Sequence, residues 1–554
     1  MKKLKIIPLG GLGEVGRNMT VFEYNNRILL IDAGFGFPNE NTPGIDYVLP
    51  NTNYLRKRKK KIMGIVLTHA HYDHIGAIPY ILDRLGNPPL YASDITREIV
   101  LQREDEHPHQ STAHIHKVKD GSKIKLPPFE VEFFHQCHNI PGSFGLVIKT
   151  PVGRIIHTGD FKFDKTPVND KPTNFKKLKE IGKEDVLLLM SDSTDAEKEG
   201  HSLSEKKIAE SLKKIFEESE QKIIIASFSS LINRLQQAIS YAEEFGRKIL
   251  IAGRSMQKNI EIARDLGYIK VKPESLIKPQ ELKNYDDDEI LVLCTGTQAE
   301  DRAALMRIAN NNDRYINVRE GDTVVFSSSV IPGKEDAVQR LKDKFYHQKL
   351  DVIHYDMMDV HAGGHAQQEE LKEMIDIMKP EYFMPIHGYY SMLVRHKKLA
   401  IEKGVPKENI VIAENGQVIE ATKKKIKTTD KKVASQKVLV DGLGIGDVGE
   451  IVLRDRKILA QDGIFVIIVT IDRKTKKITT SPDIISRGFI YLRQSKKLLS
   501  QVRNKLKSIV DSNIQQNQKI NEKDLKGEIQ EKISNFLFYK TKRHPMVLPV
   551  IIKV

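Results

Sequence analysis

The chain has 554 residues, enough for about three domains at roughly 100 to 200 residues each, which excludes a single small module. Hydrophobic residues make up 40% and charged residues 29%, and glycine and proline are spread along the chain, which excludes a collagen-like or globally disordered protein. Net charge is +15, but residues 56–61 carry six positive charges and 421–437 carry seven lysines against Asp430, so most of the excess sits in two short runs and by itself indicates no more than a polyanionic partner.

Short apolar runs at 5–8, 28–32, 65–68, 131–134, 146–149, 155–158 and 186–190 predict a strand-rich first region, 1–203, with a helical run at 75–85. Between 204 and 355 the pattern alternates regularly. Helices are predicted at 204–218, 232–245, 256–266, 298–308 and 334–345, and strands at 222–228, 248–252, 290–294, 323–327 and 352–355, which implies a parallel sheet covered by helices. Helices at 367–378 and 390–403 flank a strand at 382–385 within 356–420. The Lys-rich stretch 421–437 reads as a basic linker. Beyond it, 438–554 reads as a separate small α/β domain with strands at 464–471 and 547–552 and helices at 496–510 and 522–536; a polar tract at 513–518 reads as a loop or helix end.

Cys137 and Cys294 are too few for a disulfide framework and lack the spacing of a thiolate zinc site, which points to a reducing cytoplasm. The first apolar stretch is too short for a signal-peptide core. The longest apolar run, 464–469, is far below the roughly 20 residues of a membrane helix, so no membrane is expected as a partner.

The chemistry concentrates in Thr68-His69-Ala70-His71-Tyr72-Asp73-His74, which follows an apolar strand and precedes a helical run. Imidazole and carboxylate are the ligands of hydrolytic zinc or manganese sites, and four of them in six positions at a strand end can converge where the backbone turns. His138, Asp160 and His387 occupy similar strand ends. Asp160 can bridge two cations through its two oxygens. His135 and His157 lie within or at the edge of strands and read as structural.

H-x-H-x-D-H with later His, Asp and His resembles the metallo-β-lactamase superfamily. Ser191-Asp192-Ser193-Thr194 and the segment His361-Ala362-Gly363-Gly364-His365 narrow the resemblance to the β-CASP nucleases. Leu9-Gly10-Gly11-Leu12-Gly13-Glu14-Val15-Gly16, Gly159-Asp160-Phe161-Lys162-Phe163-Asp164, Gly253-Arg254-Ser255-Met256 and Ser481-Pro482-Asp483-Ile484-Ile485-Ser486-Arg487-Gly488 are similar to the bacterial ribonuclease J family. The resemblance covers essentially the whole chain. It implies a metallo-β-lactamase αββα sandwich (1–203 and 356–420), an inserted parallel α/β β-CASP domain (204–355) and a small C-terminal α/β assembly domain (438–554).

Carried over by motif, His69, His71 and His138 hold one metal, Asp73, His74 and His387 the other, and Asp160 lies between them. The resemblance implies two divalent ions, zinc first, with manganese or magnesium as alternatives. His365 is the implied proton donor to the departing 3′ oxygen, with Asp192 orienting it. Ser229, Ser230, His361, Ala362, Gly363, Gly364 and His365 are the implied substrate-binding residues. Where the family often has Ser-Asn-x-His-Arg and His-x-Ser-Gly-His to hold a terminal phosphate, this chain has Ser230-Leu231-Ile232-Asn233-Arg234 and Gly363. A lost amide and a lost hydroxyl are expected to blunt the preference for a 5′-monophosphate.

The leading expectation is a cytoplasmic RNA hydrolase with 5′-to-3′ exonuclease and endonuclease activity in mRNA decay and RNA maturation, forming a homodimer, a higher oligomer, or a hetero-oligomer with a paralogue. A hydrolase of small thioesters or lactams is a second reading, weakened by the 204–355 insertion. A weakly active or non-catalytic partner subunit is a third, weakened by the complete ligand set.

Overall fold

The computed structural model describes residues 2–39, 41–107, 113–331, 333–475, 477–491, 494–516 and 521–554. Two sheets form the central layers of the first region. One has eight strands in the order Ile426–Lys432, Gln417–Ala421, Leu4–Gly10, Met19–Tyr24, Arg27–Ile31, Ile62–Val66, Leu90–Ala92 and Ile115–Lys117. The other has six, in the order Tyr382–Ile386, Leu188–Asp192, Gly153–His157, Phe144–Thr150, Phe129–His135 and Lys123–Leu126.

The strands Tyr382–Ile386, Leu188–Asp192 and most of Phe144–Thr150 are buried on both faces because both are covered. Val131, Phe133, Leu146, Ile148, Leu188 and Met190 meet Leu4, Ile6, Phe22, Leu29 and Val66 of the first sheet in one core. The opposite parity, Phe134, Val147, Ile156, Leu189 and Phe383, packs on Leu178, Leu371, Met374 and Leu399 of the helices Phe175–Lys183, Gln368–Met378 and Tyr390–Glu402. This is the αββα sandwich. The strand Leu188–Asp192 precedes the inserted segment and pairs in parallel with Tyr382–Ile386, which follows it.

The insertion is a five-stranded, all-parallel sheet in the order Lys248–Ala252, Ile290–Cys294, Ile223–Ala226, Thr323–Phe326 and Asp351–His354. Its helices include Glu205–Glu218, Ile232–Glu244, Arg254–Asp265 and Glu335–His347.

Three local expectations differ from the structure. The helix expected at 298–308 is only Ala304–Ala309, because Ala299 takes a left-handed φ of 56° and the Gln298 side chain bridges to Ser329 O and Ile331 N, holding the chain in a turn. The run 75–85 divides into single turns, Tyr72–Ile75 and Ile78–Ile81, with Pro79 unable to donate into a continuing ladder. Within the stretch expected as a linker, Ile426–Lys432 is an edge strand paired with Gln417–Ala421, and Ile426 is buried in the core.

Residues 38–47 and 439–554 form a second compact unit. Its sheet, Asp483–Arg487, Ile464–Ile471 and Met546–Lys553, buries Phe465, Ile467, Val469 and Ile471 against Val502, Leu506, Leu525, Ile529 and Ile533 of the helices Lys496–Gln516 and Glu522–Thr541. The first of these helices runs past Val510 into the polar tract 513–518, whose last two residues lie outside the described residues. The helix Glu450–Asp462 was not legible in the sequence. Among the described residues no helix is long and apolar enough to cross a membrane.

Candidate metal centre

Seven side chains leave strand ends on the same side of the two sheets. Ile62–Val66 delivers His69 and His71, and the single turn Tyr72–Ile75 that follows carries Asp73 and His74. Phe129–His135 delivers His138, Gly153–His157 delivers Asp160 and Tyr382–Ile386 delivers His387. Two backbone features aim these residues. Gly159 takes a φ of +60°, and a Cβ there would lie 2.6 Å from Phe144 O, so the turn before Asp160 requires glycine. His387 itself takes a left-handed φ of 52°, held by bonds to its carbonyl from Ser193 N (3.2 Å) and Thr194 Oγ1 (3.3 Å).

The ligand atoms form groups. His69, His71, His138 and Asp160 bring one atom each within 4.8 Å of the others, and so do Asp73, His74, Asp160 and His387. In the first group, His71 Nδ1 is 3.1 Å from His69 Nε2 and 3.0 Å from His138 Nε2. Nitrogens bound tetrahedrally at about 2.0 Å from one zinc stand about 3.3 Å apart, so this spacing fits a cation. In the second group, His74 Nε2 is 3.2 Å from Asp160 Oδ2, and His387 Nε2 is 3.2 Å from Asp73 Oδ2. The His387 Nε2 contact lacks hydrogen-bond geometry, which leaves a buried nitrogen without a hydrogen-bond partner and facing the Asp73 carboxylate. The residues therefore fit divalent metal binding.

Hydrogen bonds at the far nitrogens fix which atoms face the centre. His138 Nδ1 donates to Gly364 O at 2.5 Å and His74 Nδ1 donates to Asp32 Oδ2 at 2.7 Å, so the Nε2 atom of each faces the centre. Thr68 Oγ1 lies 3.0 Å from His69 Nδ1. Burial, with neighbouring imidazoles, pushes His69 and His138 well below the usual histidine range and His71 down to about 4, so three neutral imidazoles converge there. Burial pushes Asp73 and Asp160 up, but the surrounding histidines outweigh it and hold both well below the carboxylate range. Neutral imidazoles and ionised carboxylates are the states that bind metal. In the second group burial lowers His74 and His387, but Asp160 and the neighbouring carboxylates overcome it and raise both well above the usual histidine range, so a cation bound there would take the place of their protons.

Beside the centre, His365 Nδ1 donates to Asp192 Oδ2 at 2.7 Å. Burial lowers the His365 pKa, yet Asp192 and Asp160 overcome it and raise it to about 9. Asp192, Asp160, His365 and His387 also lie within 4.8 Å of one another, so this pair borders the second group directly.

Residues 12–215 match the metallo-beta-lactamase superfamily, 220–345 the family described as ribonuclease J, beta-CASP domain, 353–413 the Zn-dependent metallo-hydrolase RNA specificity domain, and 451–554 the ribonuclease J C-terminal domain. The chain is 42% identical over 547 residues to Ribonuclease J 1 of Streptococcus pyogenes, which covers 99% of this chain and 97% of that protein. It belongs to the ribonuclease J family. Ribonuclease J2 of Bacillus subtilis is 38% identical over 553 residues, covering 100% of this chain and 99% of that protein, and Ribonuclease J 2 of Staphylococcus aureus is 37% identical over the same length. A crystal structure of a protein of unknown function from Enterococcus faecalis matches with a TM-score of 0.54 at 17% identity, covering 76% of this chain and all of that one, a likeness of fold alone.

On the opposite wall, the residues that the ribonuclease J resemblance implies for substrate binding fall in different places. Ser229 and Ser230 line a cavity of about 290 Å³ with Phe228, Leu231, His71 and Asp73, and Ser229 Oγ accepts from Asn259 Nδ2 at 3.1 Å. Gly363 is partly exposed, whereas Ala362 and Gly364 are buried. A Cβ on Gly364 would sit 2.4 Å from His138 Cε1, so this glycine is required by the histidine packed on it. Burial, with Arg234 nearby, pushes His361 down to about 3. Arg234 does not line that cavity. Its guanidinium donates to Val360 O (2.5 Å), Ser327 Oγ (2.8 Å) and Glu205 Oε2 (3.0 Å), tying the insertion to the start of the 361–365 segment.

His135 and His157 lie outside the ligand groups; His157 Nδ1 accepts from Gly159 N at 3.1 Å and so supports the turn before Asp160. Sequence reasoning missed Asp32, Thr68, Asn18 and Thr194, which contact His74, His69, Asp73 and His387. For Asp32 the available signal was a carboxylate ending a strand.

Proposed function

We propose that this chain is a metal-dependent ribonuclease that hydrolyses RNA phosphodiester bonds, as a 5′-to-3′ exonuclease and an endonuclease, in mRNA decay and in the maturation of ribosomal and other RNA in the cytoplasm. The observation that carries this reading is the convergence of seven ligand-capable side chains beside the His365 and Asp192 pair in a member of the ribonuclease J family. We infer two divalent ions, zinc first, with His69, His71 and His138 holding one, Asp73, His74 and His387 the other, and Asp160 shared. Such ions supply neutralisation of phosphate charge and acidification of water.

The chain's own residues do the rest. Asp32 and Gly364 O orient His74 and His138. His365 donates a proton to the departing 3′ oxygen, and Asp192 occupies its Nδ1 so that Nε2 is the donating atom. Ser229, Ser230 and the backbone N–H groups at 363–364 take substrate phosphates. The complete ligand set speaks against a non-catalytic partner subunit.

We further infer self-association through 438–554. The sheet of that unit leaves Ile485, Leu548, Val550 and Ile552 at 40–45% exposure, an apolar face that a second copy or a paralogue covers. Light scattering of the full chain is expected to show a dimer or larger, reduced by Val550→Lys with Ile552→Lys; an unchanged state would count against this face. The catalytic reading is tested by metal analysis combined with digestion of 5′-monophosphorylated RNA. Two ions per chain and metal-dependent cleavage are expected, and undiminished cleavage after exhaustive chelation would overturn it.

A further inference from the structure

The register of the eight-stranded sheet brings the two basic runs together. Ala421 pairs with Leu4, Leu4 with Tyr24, Tyr24 with Arg27 and Ile28 with Ile62. The turn at 422–425, the N-terminal Lys2 and Lys3, the turn at 25–26 and the run 56–61 therefore lie along one end of the sheet. Four inter-strand steps of about 4.8 Å separate the basic runs by about 19 Å. The metal centre leaves the other end of these strands: from Ile62 to His69 the chain advances about 20 Å.

We propose that this end of the sheet is a second RNA-binding surface, which takes the phosphate backbone of the substrate away from the bond being cleaved. The proposal rests on the ribonuclease reading. Arg56, Lys57, Lys59 and Lys60 are exposed and, among the described residues, make no ion pair; the same holds for Lys423, Lys424, Lys425 and Lys427. The acids along this end are already engaged, Glu420 with Lys3 and Glu23 with Lys5 and Tyr54. At the adjoining end of the second sheet, where Tyr382 Oη donates to Lys424 O, Glu184 pairs with Arg154; Asp185, Glu381 and, further along the edge strand, Asp430 make no ion pair among the described residues.

Eight unpaired cations on ordered backbone repel one another, and a polyanion relieves that repulsion. RNA fits better than an anionic membrane, because none of the exposed large apolar residues lies at 2–5, 23–28, 53–62 or 421–432, where an interfacial anchor would need one.

The test uses the full chain with glutamine at 56, 57, 59 and 60, and separately at 423, 424, 425 and 427. Binding of an RNA of about 60 nucleotides is measured against salt in an Asp73→Ala background, and kcat/KM is measured without that change on the long RNA and on one of about five nucleotides. Each lost phosphate contact lowers the slope of log K against log salt by about 0.7 to 0.9. Each variant is expected to lose about 2 to 3 from the slope, to bind long RNA about tenfold or more weakly at low salt, and to cleave the short RNA unchanged. Unchanged slope and affinity in both variants would overturn the proposal, as would equal losses on short and long RNA, or lost binding to phosphatidylserine vesicles with RNA binding intact. If the parent binds long RNA but cleaves neither substrate, the ribonuclease reading fails instead and takes the proposal with it.

Discussion

The two walls of the cleft differ in how much of their polar chemistry is already committed. On the sandwich side, His74 and His138 each donate the far nitrogen to a fixed acceptor, and Thr68 Oγ1 stands against that of His69. On the opposite side, Leu231 offers no polar group, Gly363 offers only backbone, and Arg234 is spent on Val360 O, Ser327 and Glu205. Cation binding depends on ligand atoms fixed to within tenths of an ångström, so every one of those positions is specified. A phosphate can exchange a side-chain donor for a backbone N–H or a water, so the wall proposed to grip it is the one that tolerates change.

The largest expected effect lies on the sandwich wall. Asp73→Ala or His74→Ala should reduce RNA cleavage to the blank while thermal unfolding stays cooperative; full activity in either, after chelation and metal reloading, would break the two-ion proposal and the contrast between the walls with it. Next comes His365→Ala, expected to slow cleavage by about 10² to 10⁴ while metal content is unchanged. Loss of an ion from that variant would move His365 among the ligands, which its position near Asp160 and His387 permits.

A smaller effect is expected from Asp32→Asn, which keeps the shape of the group bonded to His74 Nδ1 but removes its charge. Apparent metal affinity should fall about 10- to 100-fold by titration against a chelator, with cleavage recovering at high metal. Unaltered affinity would mean that His74 is oriented by packing alone.

The smallest change is expected on the opposite wall. Each hydrogen bond to a charged group is worth about 1.5 to 3 kcal/mol, or tenfold and more in binding, so this chain should discriminate 5′-monophosphate from 5′-hydroxyl or 5′-triphosphate RNA only weakly. Gly363→Ser, alone and with Leu231→Asn, should sharpen that preference about tenfold in kcat/KM. The new Cβ at 363 stands 3.3 Å from Asp195 Oδ2, which shifts by a few tenths of an ångström to admit it. Strong selectivity in the parent, unimproved by the serine, would show that these positions do not set end recognition.

The sequence by itself determined the strand-rich first region, the parallel insertion and the identity of the clustered ligand-type residues, because each is written in local terms: short apolar runs, apolar spacing on a helix, and imidazoles and carboxylates at consecutive strand ends. The sandwich arrangement is implied only by the family resemblance. Tertiary structure alone decided what those side chains do with their second atoms. Asp32 meets His74 across 42 positions and Gly364 O meets His138 across 226, pairings that no local pattern encodes. The same holds where local propensity lost: 298–303 has a helical pattern but turns because Gln298 finds partners on the next strand's loop, and 426–432 looks like a charged linker but pairs as an edge strand because Ile426 is drawn into the core. A residue's chemistry is intrinsic to it, whereas the direction of a lone pair or the fate of a backbone segment is set by whichever distant groups the packed core brings within bonding distance.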